Sequence, residues 1–164
     1  MTEQLEDRGA LRAVALALAS WFGVGFLPVA PGTWGTLAAL PLAWAVSRLP
    51  TAWQALVAVA VALVGMPVAA RAGRTLGVVD ARQIVIDEVA GLLITMVGVR
   101  FTWASALAAF ALFRLFDVLK PWPASFFDRK VKNGAGVVLD DVAAGLYSRG
   151  VLALLVWLLP GAFG

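Results

Sequence analysis

Long apolar runs, separated by short polar segments, dominate the chain and predict α-helices. The run over residues 52–70 is long enough to cross a bilayer, which takes about 20 consecutive apolar residues. The last helix is expected to break or bend near Arg149 and Gly150. The other helices are predicted over residues 10–25, 35–46, 84–99, 103–116 and 138–159. The pattern therefore predicts an all-α fold, a compact multi-helix bundle in a single domain.

Polar segments between these runs set the expected helix boundaries. Residues 1–9 form a short polar lead on the cytoplasmic side, and no pattern of a removable signal peptide precedes the first helix. Two prolines and Gly32 break the chain into a loop near residue 30. Residues 71–82 are expected to be a basic connector, and residues 120–136 form the most polar stretch.

The composition indicates that this bundle is embedded in a membrane. Hydrophobic residues make up 62% of the 164 residues, and the mean hydropathy is +0.89, which is too apolar for an ordinary soluble domain. A bundle only partly immersed in the bilayer is the alternative, because several helices are short for a full span. With the polar middle on the cytoplasmic side, as the distribution of basic residues favours, five crossings are expected, over residues 34–49, 52–70, 84–99, 102–116 and 138–159.

Two residue types are absent, and their absence restricts the chemistry. The chain contains no Cys and no His, which excludes disulfides, thiol nucleophiles, imidazole bases and the usual zinc sites. The net charge of +3 suits anionic lipid head groups, and no basic stripe with interleaved aromatic residues indicates nucleic-acid binding. Any catalysis must therefore use carboxylates, hydroxyls, amines, guanidinium groups or a hard metal ion.

Two acidic pairs stand within apolar sequence. Asp87 and Glu88 lie in VIDEVAGLLITM, and an acid at the bilayer centre costs about 2.5 to 3.5 kcal/mol, so the pair requires water, a cation or a function. Asp140 and Asp141 repeat the pattern in LDDVAAG, although this pair also suits the first turn of a helix. Helices that cross at the following glycines would gather four carboxylates, and oxygen ligands favour Mg²⁺, Mn²⁺ or Ca²⁺ over zinc.

The segment FRLFDVLKPWP, between the two pairs, carries three charges spaced three residues apart. Arg114, Asp117 and Lys120 therefore lie along one face of a helix that Pro121 is expected to end. In a soluble protein this pattern would indicate a surface salt-bridge ladder. Among apolar neighbours it indicates desolvated charges around a site, where Arg114 and Lys120 hold a phosphate and Asp117 is a metal ligand, base or nucleophile.

Two further segments contain candidate binding residues. Arg129 and Lys130 belong to a basic loop before the second acidic pair, where anchoring to the membrane surface explains them as well as substrate contact does. The early segment VAPGTWGT places Thr33 and free backbone N–H groups before a helix, which suits an anion, although a plain N-cap also fits. The segment is not a P-loop, because no Gly-Lys-Ser/Thr follows.

Four segments together resemble the phosphatidylglycerophosphatase A family over about residues 20–150: GVGFLPVAPGTWGTLAALPL, VIDEVAG, FRLFDVLKPWP and LDDVAAGLYS. The resemblance implies a Mg²⁺-dependent, all-helical lipid phosphatase that hydrolyses phosphatidylglycerophosphate to phosphatidylglycerol and inorganic phosphate. It implies a multi-pass protein of the bacterial cytoplasmic (inner) membrane with its active site facing the cytoplasm. Matched motif by motif, the functional residues would be Thr33, Asp87, Glu88, Arg114, Asp117, Lys120, Asp140 and Asp141.

The residues and the resemblance lead to one mechanistic hypothesis. The two acidic pairs bind Mg²⁺, while Arg114 and Lys120 clamp the phosphate. Asp117 orients or deprotonates the attacking water, and Asp117 and Asp141 are the candidate catalytic carboxylates. A phospho-aspartyl intermediate is the open alternative to direct attack by water.

Other functions compete with this hypothesis. A small ion or proton transporter also needs intramembrane acids, although the neighbouring basic residues suit an anionic substrate better. A transferase of the CDP-alcohol type would need an Asp-Gly pattern that Asp140 and Asp141 lack. A structural subunit would leave seven acidic residues between 80 and 141 unexplained. A homodimer would help short helices to shield a polar site, although no motif demands one.

Overall fold

A computed structural model describes the backbone of residues 2–163 and the side chains of residues 9–163. This described part is helical with no β-strand, so the predicted all-α fold is confirmed. A single 3-10 turn spans Val24–Phe26. The helices, in chain order, are α1 (Thr2–Ala19), α2 (Pro31–Ala38), α3 (Leu40–Val46), α4 (Thr51–Leu76), α5 (Ile86–Met96), α6 (Trp103–Leu119), α7 (Ala124–Lys130), α8 (Gly134–Leu158) and α9 (Pro160–Phe163).

Helix α5 lies at the centre of the bundle. Ten of its eleven residues are buried, as expected for a helix that is apolar on nearly all sides. Helices α4 and α8 cover much of its surface, and α6 packs against both α5 and α8. The acidic residues in the first turn of α5 therefore lie in the protein core.

Two glycines bring the backbones of α5 and α8 into close contact. A Cβ atom added to Gly145 would lie 2.6 Å from the carbonyl oxygen of Gly91, and a Cβ atom on Gly91 would lie 3.0 Å from that of Asp141. The Thr95 hydroxyl donates to the carbonyl oxygen of Gly91 at 2.9 Å and lies 3.4 Å from that of Gly145. Small residues thus permit the predicted crossing, which sets the two acidic pairs side by side.

The first helices differ from the prediction at their ends. Helix α1 begins at Thr2, within the predicted polar lead, instead of residue 10, and it ends at Ala19 instead of residue 25. The chain then turns through Trp21 and Phe22 with positive φ. The helix predicted over residues 35–46 is two helices, α2 and α3. Helix α2 begins at Pro31, inside the predicted loop, because the fixed φ of proline suits the first helical turn.

Two segments predicted as connectors are partly helical. Helix α4 continues to Leu76, so residues 71–76 are not a loop, and the buried Ala72 and Gly73 show that this turn packs against the protein. The polar stretch over residues 120–136 contains helix α7 and the start of α8. Apolar periodicity alone fails in both places, because short packed turns need few apolar residues.

The last long helix starts earlier than residue 138 and has no break. Asn133 caps α8 by accepting hydrogen bonds from the N–H groups of Ala135 and Gly136. The helix then continues through Arg149 and Gly150 to Leu158, so the break expected there is wrong. A glycine inside a helix costs only about 1 kcal/mol, which the packing of the remaining helix can offset.

Helices α4 and α8 are the two that, within residues 2–163, are long and apolar enough to cross a membrane by length and composition. A long core helix of a soluble protein passes the same test. On α4 the apolar side chains of Trp53, Leu56, Val59 and Leu63 are each more than half exposed. The remaining three predicted crossings coincide with shorter helices, and the number of five stays a prediction.

Candidate active site

The first turn of α5 carries Asp87 and Glu88 into the interior. The helix start is fixed by Val85, whose N–H donates to the carbonyl oxygen of Ala19 at 2.8 Å. Asp87 is 7% exposed, and its Oδ1 accepts a hydrogen bond from the N–H of Glu88 at 3.1 Å. Acidic side chains at a helix N-terminus interact favourably with the helix dipole, but this offsets only part of the cost of burying them.

Three carboxylates meet at the crossing of α5 and α8. Asp87, Glu88 and Asp141 each place an oxygen within 4.8 Å of the other two, and these three residues are called the carboxylate cluster below. Like charges this close repel strongly in a poorly hydrated interior, and a bound cation would relieve that repulsion. Its ligand atoms are all oxygens, which favour hard divalent ions.

One oxygen of the cluster has no partner. Glu88 Oε2 is buried and accepts no hydrogen bond from the described residues. Buried polar atoms are satisfied in the great majority of cases, and a bound ion or water is a usual explanation for an exception. A metal ion held by the three carboxylates would satisfy Glu88 Oε2 and balance their charge, so these residues fit a metal site.

Arg114 lies beside the carboxylate cluster. Its Nη1 is 2.7 Å from Asp117 Oδ2 and 3.7 Å from Glu88 Oε1. The shorter distance is that of an ion pair, yet Nη1 makes no well-aligned hydrogen bond within the described part of the chain. The guanidinium group therefore retains N–H groups for an anionic ligand.

The start of α2 closes the site on the side of Arg114. A Cβ atom added to Gly32 would overlap the Glu88 carboxylate and lie 3.1 Å from Arg114 Nη1. A larger residue there would displace the Glu88 carboxylate from the position that it has in the site. Thr33, the next residue, is half-buried, and its hydroxyl makes no hydrogen bond with the described residues.

Lys120 forms a second charged group at the end of α6. It caps the helix in the left-handed conformation, with φ of +44°, directly before Pro121. Its Nζ donates to Asp140 Oδ2 at 2.6 Å and to Asp128 Oδ1 at 2.8 Å. Burial lowers the pKa of Lys120, but the two hydrogen bonds outweigh it and raise the pKa, and the same contact lowers the pKa of Asp128. Lys120 is a cation throughout the physiological pH range.

The predicted site residues thus separate into groups. Asp140 lies outside the carboxylate cluster, because its side chain is turned toward Lys120. Arg129 and Lys130 are exposed in the last turn of α7, and no ion pair joins them to an acid among the described side chains. The structure therefore brings both acidic pairs and the charges of α6 together, and leaves these two basic residues at the surface.

Sequence reasoning assigns no site role to Gly32 or Asp128. The glycine is a predictable helix breaker, but its contact with Glu88 depends on how α2 packs against α5 and α6. Asp128 lies eight residues after Lys120 on a different helix, so no helical spacing links the pair. Two prolines within residues 121–130 or an Asp among basic residues are weak signals, and neither predicts this contact.

A family model and two curated relatives carry the same name. Residues 17–156, which include every candidate site residue, match the model of a family described as phosphatidylglycerophosphatase A. The phosphatidylglycerophosphatase A of Escherichia coli strain K12 is 38% identical over 136 residues, which cover 82% of this chain and 79% of the relative. That of Haemophilus influenzae is 40% identical over 145 residues, which cover 87% and 89%.

A third relative carries a different name. A Bacteroides thetaiotaomicron protein named as a candidate phosphatidylinositol-3-phosphatase is 36% identical over 148 residues, which cover 84% of this chain and 91% of the relative. No solved structure matches the chain.

Proposed function

The chain belongs to the phosphatidylglycerophosphatase A family, and we propose that it hydrolyses phosphatidylglycerophosphate to phosphatidylglycerol and inorganic phosphate in phospholipid biosynthesis. The observation that supports this most directly is the buried carboxylate cluster beside Arg114, whose Nη1 lacks an aligned acceptor. In a chain without His or Cys, carboxylates and cations are among the groups that can hydrolyse a phosphomonoester, and the site supplies both.

We assign a divalent metal ion, Mg²⁺ as the first choice, to Asp87, Glu88 and Asp141. The unpartnered Glu88 Oε2 and the all-oxygen donor set support this assignment. Bound Mg²⁺ would neutralise charge on the phosphoryl oxygens and make a coordinated water more acidic. Asp140 stays a candidate for the same set because it precedes Asp141, but Lys120 already engages its Oδ2.

The other side chains divide the work of binding and proton transfer. Arg114 is positioned to bind phosphoryl oxygens, and Thr33 at the start of α2 is the candidate for an additional hydrogen bond. Asp117 holds Arg114 at 2.7 Å and is the candidate to orient or deprotonate the attacking water. Arg129 and Lys130, exposed on α7, remain candidates for contact with the lipid head group.

Direct attack by water and a phospho-aspartyl intermediate both suit this arrangement. The stereochemistry at phosphorus separates them, because one in-line displacement inverts the configuration and two successive displacements retain it. Hydrolysis of a substrate with a chiral, isotopically labelled thiophosphate group would therefore give inversion for water attack and retention for a covalent route through Asp117 or Asp141.

We propose that the protein works within the bacterial cytoplasmic membrane with this site on the cytoplasmic side. The length and exposed apolar face of α4 support the membrane location. The C-terminal end of α4 carries Arg71 and Arg74 and lies beside the start of α8, where Gly134 packs against Ala70. Basic residues at this end of the bundle favour a cytoplasmic orientation.

Phosphate release by detergent-purified protein tests the function. Phosphatidylglycerophosphate is supplied in mixed micelles with Mg²⁺ or with excess chelator, and a phosphatidylinositol phosphate serves as the comparison head group. Asp87→Asn and Asp141→Asn are expected to abolish release, whereas Asp80→Asn, which removes an exposed carboxylate, should keep most of it. No release by the wild type with any divalent ion would refute the proposal. Activity in detergent also excludes a function that needs a sealed membrane.

A further inference from the structure

The ammonium group of Lys120 is already occupied by protein carboxylates. It donates to Asp140 on α8 and to Asp128 on α7, at 2.6 and 2.8 Å, which uses two of its three N–H groups. Arg114 differs in that its Nη1, although it is 2.7 Å from Asp117 Oδ2, makes no well-aligned hydrogen bond among the described residues. A phosphate would have to compete with two short, charge-assisted hydrogen bonds to reach Lys120.

The cavity next to this pair is unsuited to an anion. It has a volume of about 200 Å³, and Asp80, Asp128 and Asp140 contribute carboxylates to its wall. Lys132 is the single cationic side chain among the described lining residues. A phosphate dianion would be repelled there, so this cavity offers no route by which an anion would reach the two acidic partners of Lys120.

We propose that Lys120 is a positioning residue rather than a phosphate ligand. Asp128 anchors Lys120, and the pair fixes the side chain of Asp140. Through Asp140 it also fixes the backbone of Asp141, whose side chain belongs to the carboxylate cluster. This inference rests on the proposed phosphatase function. It adds Asp128 to the residues on which the reaction depends and gives Lys120 a different task.

Hydrogen bonds connect the anchor to the carboxylate cluster. Asp140 uses both of its oxygens, since Oδ2 accepts from Lys120 and Oδ1 accepts from the N–H of Asp141 at 3.0 Å. A change at Lys120 therefore reaches Asp141 through one side chain. Displacing a catalytic group by 1 Å can cost about 10²-fold in rate, so a small rotation of Asp140 is sufficient to affect catalysis.

The fold around the pair has separate support. The Tyr147 hydroxyl of α8 donates to the carbonyl oxygen of Trp122 at 2.7 Å, and its ring stacks on Phe116. These contacts attach the end of α6 to α8 without Lys120. Loss of the Asp128 carboxylate should therefore disturb side chains in the site while the bundle stays folded.

Asp128 is the more informative position to change. Lys120→Met would leave Asp140, which is 6% exposed, without its cation, and such a change can be strongly destabilising. Asp128 is about one-third exposed, so Asp128→Asn removes the anchor at lower cost and keeps the charge of Lys120. If Lys120 bound the phosphate of the substrate, its release from Asp128 would leave substrate binding unchanged or make it stronger. If Lys120 positions Asp140, its release from Asp128 would weaken that positioning and lower the rate.

Steady-state kinetics in mixed micelles distinguish these two outcomes. Asp128→Asn is expected to lower kcat by about tenfold, with KM and the inhibition constant of inorganic phosphate unchanged. Lys120→Arg, which keeps the charge, should retain more of kcat than Lys120→Met. Lys132→Met is the matched control, because among the described residues Lys132 donates to the main-chain carbonyl of Asp128 and not to its carboxylate. Its kinetics should resemble the wild type.

A metal-binding measurement makes the test independent of turnover. Free Mn²⁺ is counted by electron paramagnetic resonance in the absence of substrate, and Asp128→Asn is expected to bind Mn²⁺ severalfold more weakly than Lys132→Met does. Wild-type kcat together with wild-type Mn²⁺ binding in Asp128→Asn would overturn the proposal. A higher KM and a higher phosphate inhibition constant in Lys120→Arg, with an unaffected Asp128→Asn, would instead make Lys120 a phosphate ligand. If the wild type releases no phosphate, the proposed function fails. The Mn²⁺ comparison alone then decides whether Asp128 and Lys120 position the carboxylate cluster.

Discussion

Replacing Gly145 by alanine should separate the two helices that form the carboxylate cluster. The added Cβ would lie 2.6 Å from the carbonyl oxygen of Gly91 and 3.2 Å from both Gly91 Cα and Ile94 Cβ. A carbon and a carbonyl oxygen normally approach to about 3.3 Å, so α8 must move by roughly 0.7 Å from α5. Backbone atoms are involved on both sides, and no side-chain rotation can relieve the contact.

The displacement should affect activity more than stability. Overpacking a helix contact costs about 1 to 3 kcal/mol, and the better helix propensity of alanine returns up to about 1 kcal/mol. The variant should therefore fold with a modestly lower melting temperature. Gly145 lies one helical turn after Asp141, so the shift carries that carboxylate away from Asp87 and Glu88. Because a 1 Å misplacement costs about 10²-fold, we expect phosphate release to fall by roughly 10- to 100-fold.

Phosphate release and thermal unfolding, measured on the same preparations, test this prediction. Gly150→Ala is the matched control on the same helix, because a Cβ atom there meets nothing within 4 Å. It should keep wild-type activity and gain up to about 1 kcal/mol of stability. If Gly145→Ala retains full activity at all Mg²⁺ concentrations, the close crossing of α5 and α8 does not set the geometry of the site.

Three further changes have expected outcomes. Gly32→Ala should lower phosphate release at least tenfold, with an unchanged circular dichroism spectrum, because the new methyl group overlaps a site carboxylate. Arg114→Gln should raise KM and the phosphate inhibition constant by about 10- to 100-fold, because loss of a charged hydrogen bond costs about 1.5 to 3 kcal/mol. Arg100 is exposed, so the control variant Arg100→Gln should change neither constant. The pKa of Asp128 is lower in the folded protein, so its contribution to stability exists above pH 4 or so and disappears as the pH falls through the folded-state pKa. The difference in melting temperature between wild type and Asp128→Asn should accordingly narrow between pH 6 and about pH 3, and a constant difference would contradict the ion pair.

The pattern of apolar runs predicted the helices that carry the site. The acidic pair followed by glycine occurs once on α5 and once on α8, and the two glycines meet at the crossing as their small size suggested. Helix ends were harder to predict, because α4 extends through a polar turn and α8 starts at an Asn cap before its apolar run begins. Packing and capping decide these boundaries, and neither follows from periodicity.

The sequence-based prediction did not include the direction in which each acidic side chain points, and this affects the site more than the helix ends do. Neighbouring residues on an α-helix point about 100° apart, so the short side chains of Asp140 and Asp141 leave the helix in different directions. Asp141 joins the carboxylate cluster, and Asp140 points toward α6 and α7. On α5 both acids contribute, since the longer side chain of Glu88 can reach back. Helical geometry alone could have shown that the second pair divides, but the partners of Asp140 depend on a tertiary contact.

The charges of the site argue that metal binding and substrate binding are coupled. Six carboxylates, those of Asp87, Glu88, Asp117, Asp128, Asp140 and Asp141, lie close to two cationic side chains, Arg114 and Lys120, which leaves a formal excess of four negative charges. Such a site repels a phosphomonoester dianion until a cation is bound, because poorly hydrated charges are weakly screened. A divalent ion held by the carboxylate cluster would halve this excess close to Arg114, whose Nη1 is 3.7 Å from Glu88 Oε1. We therefore expect the chelator in the phosphate-release experiment to remove the capacity to bind substrate together with the capacity to hydrolyse it.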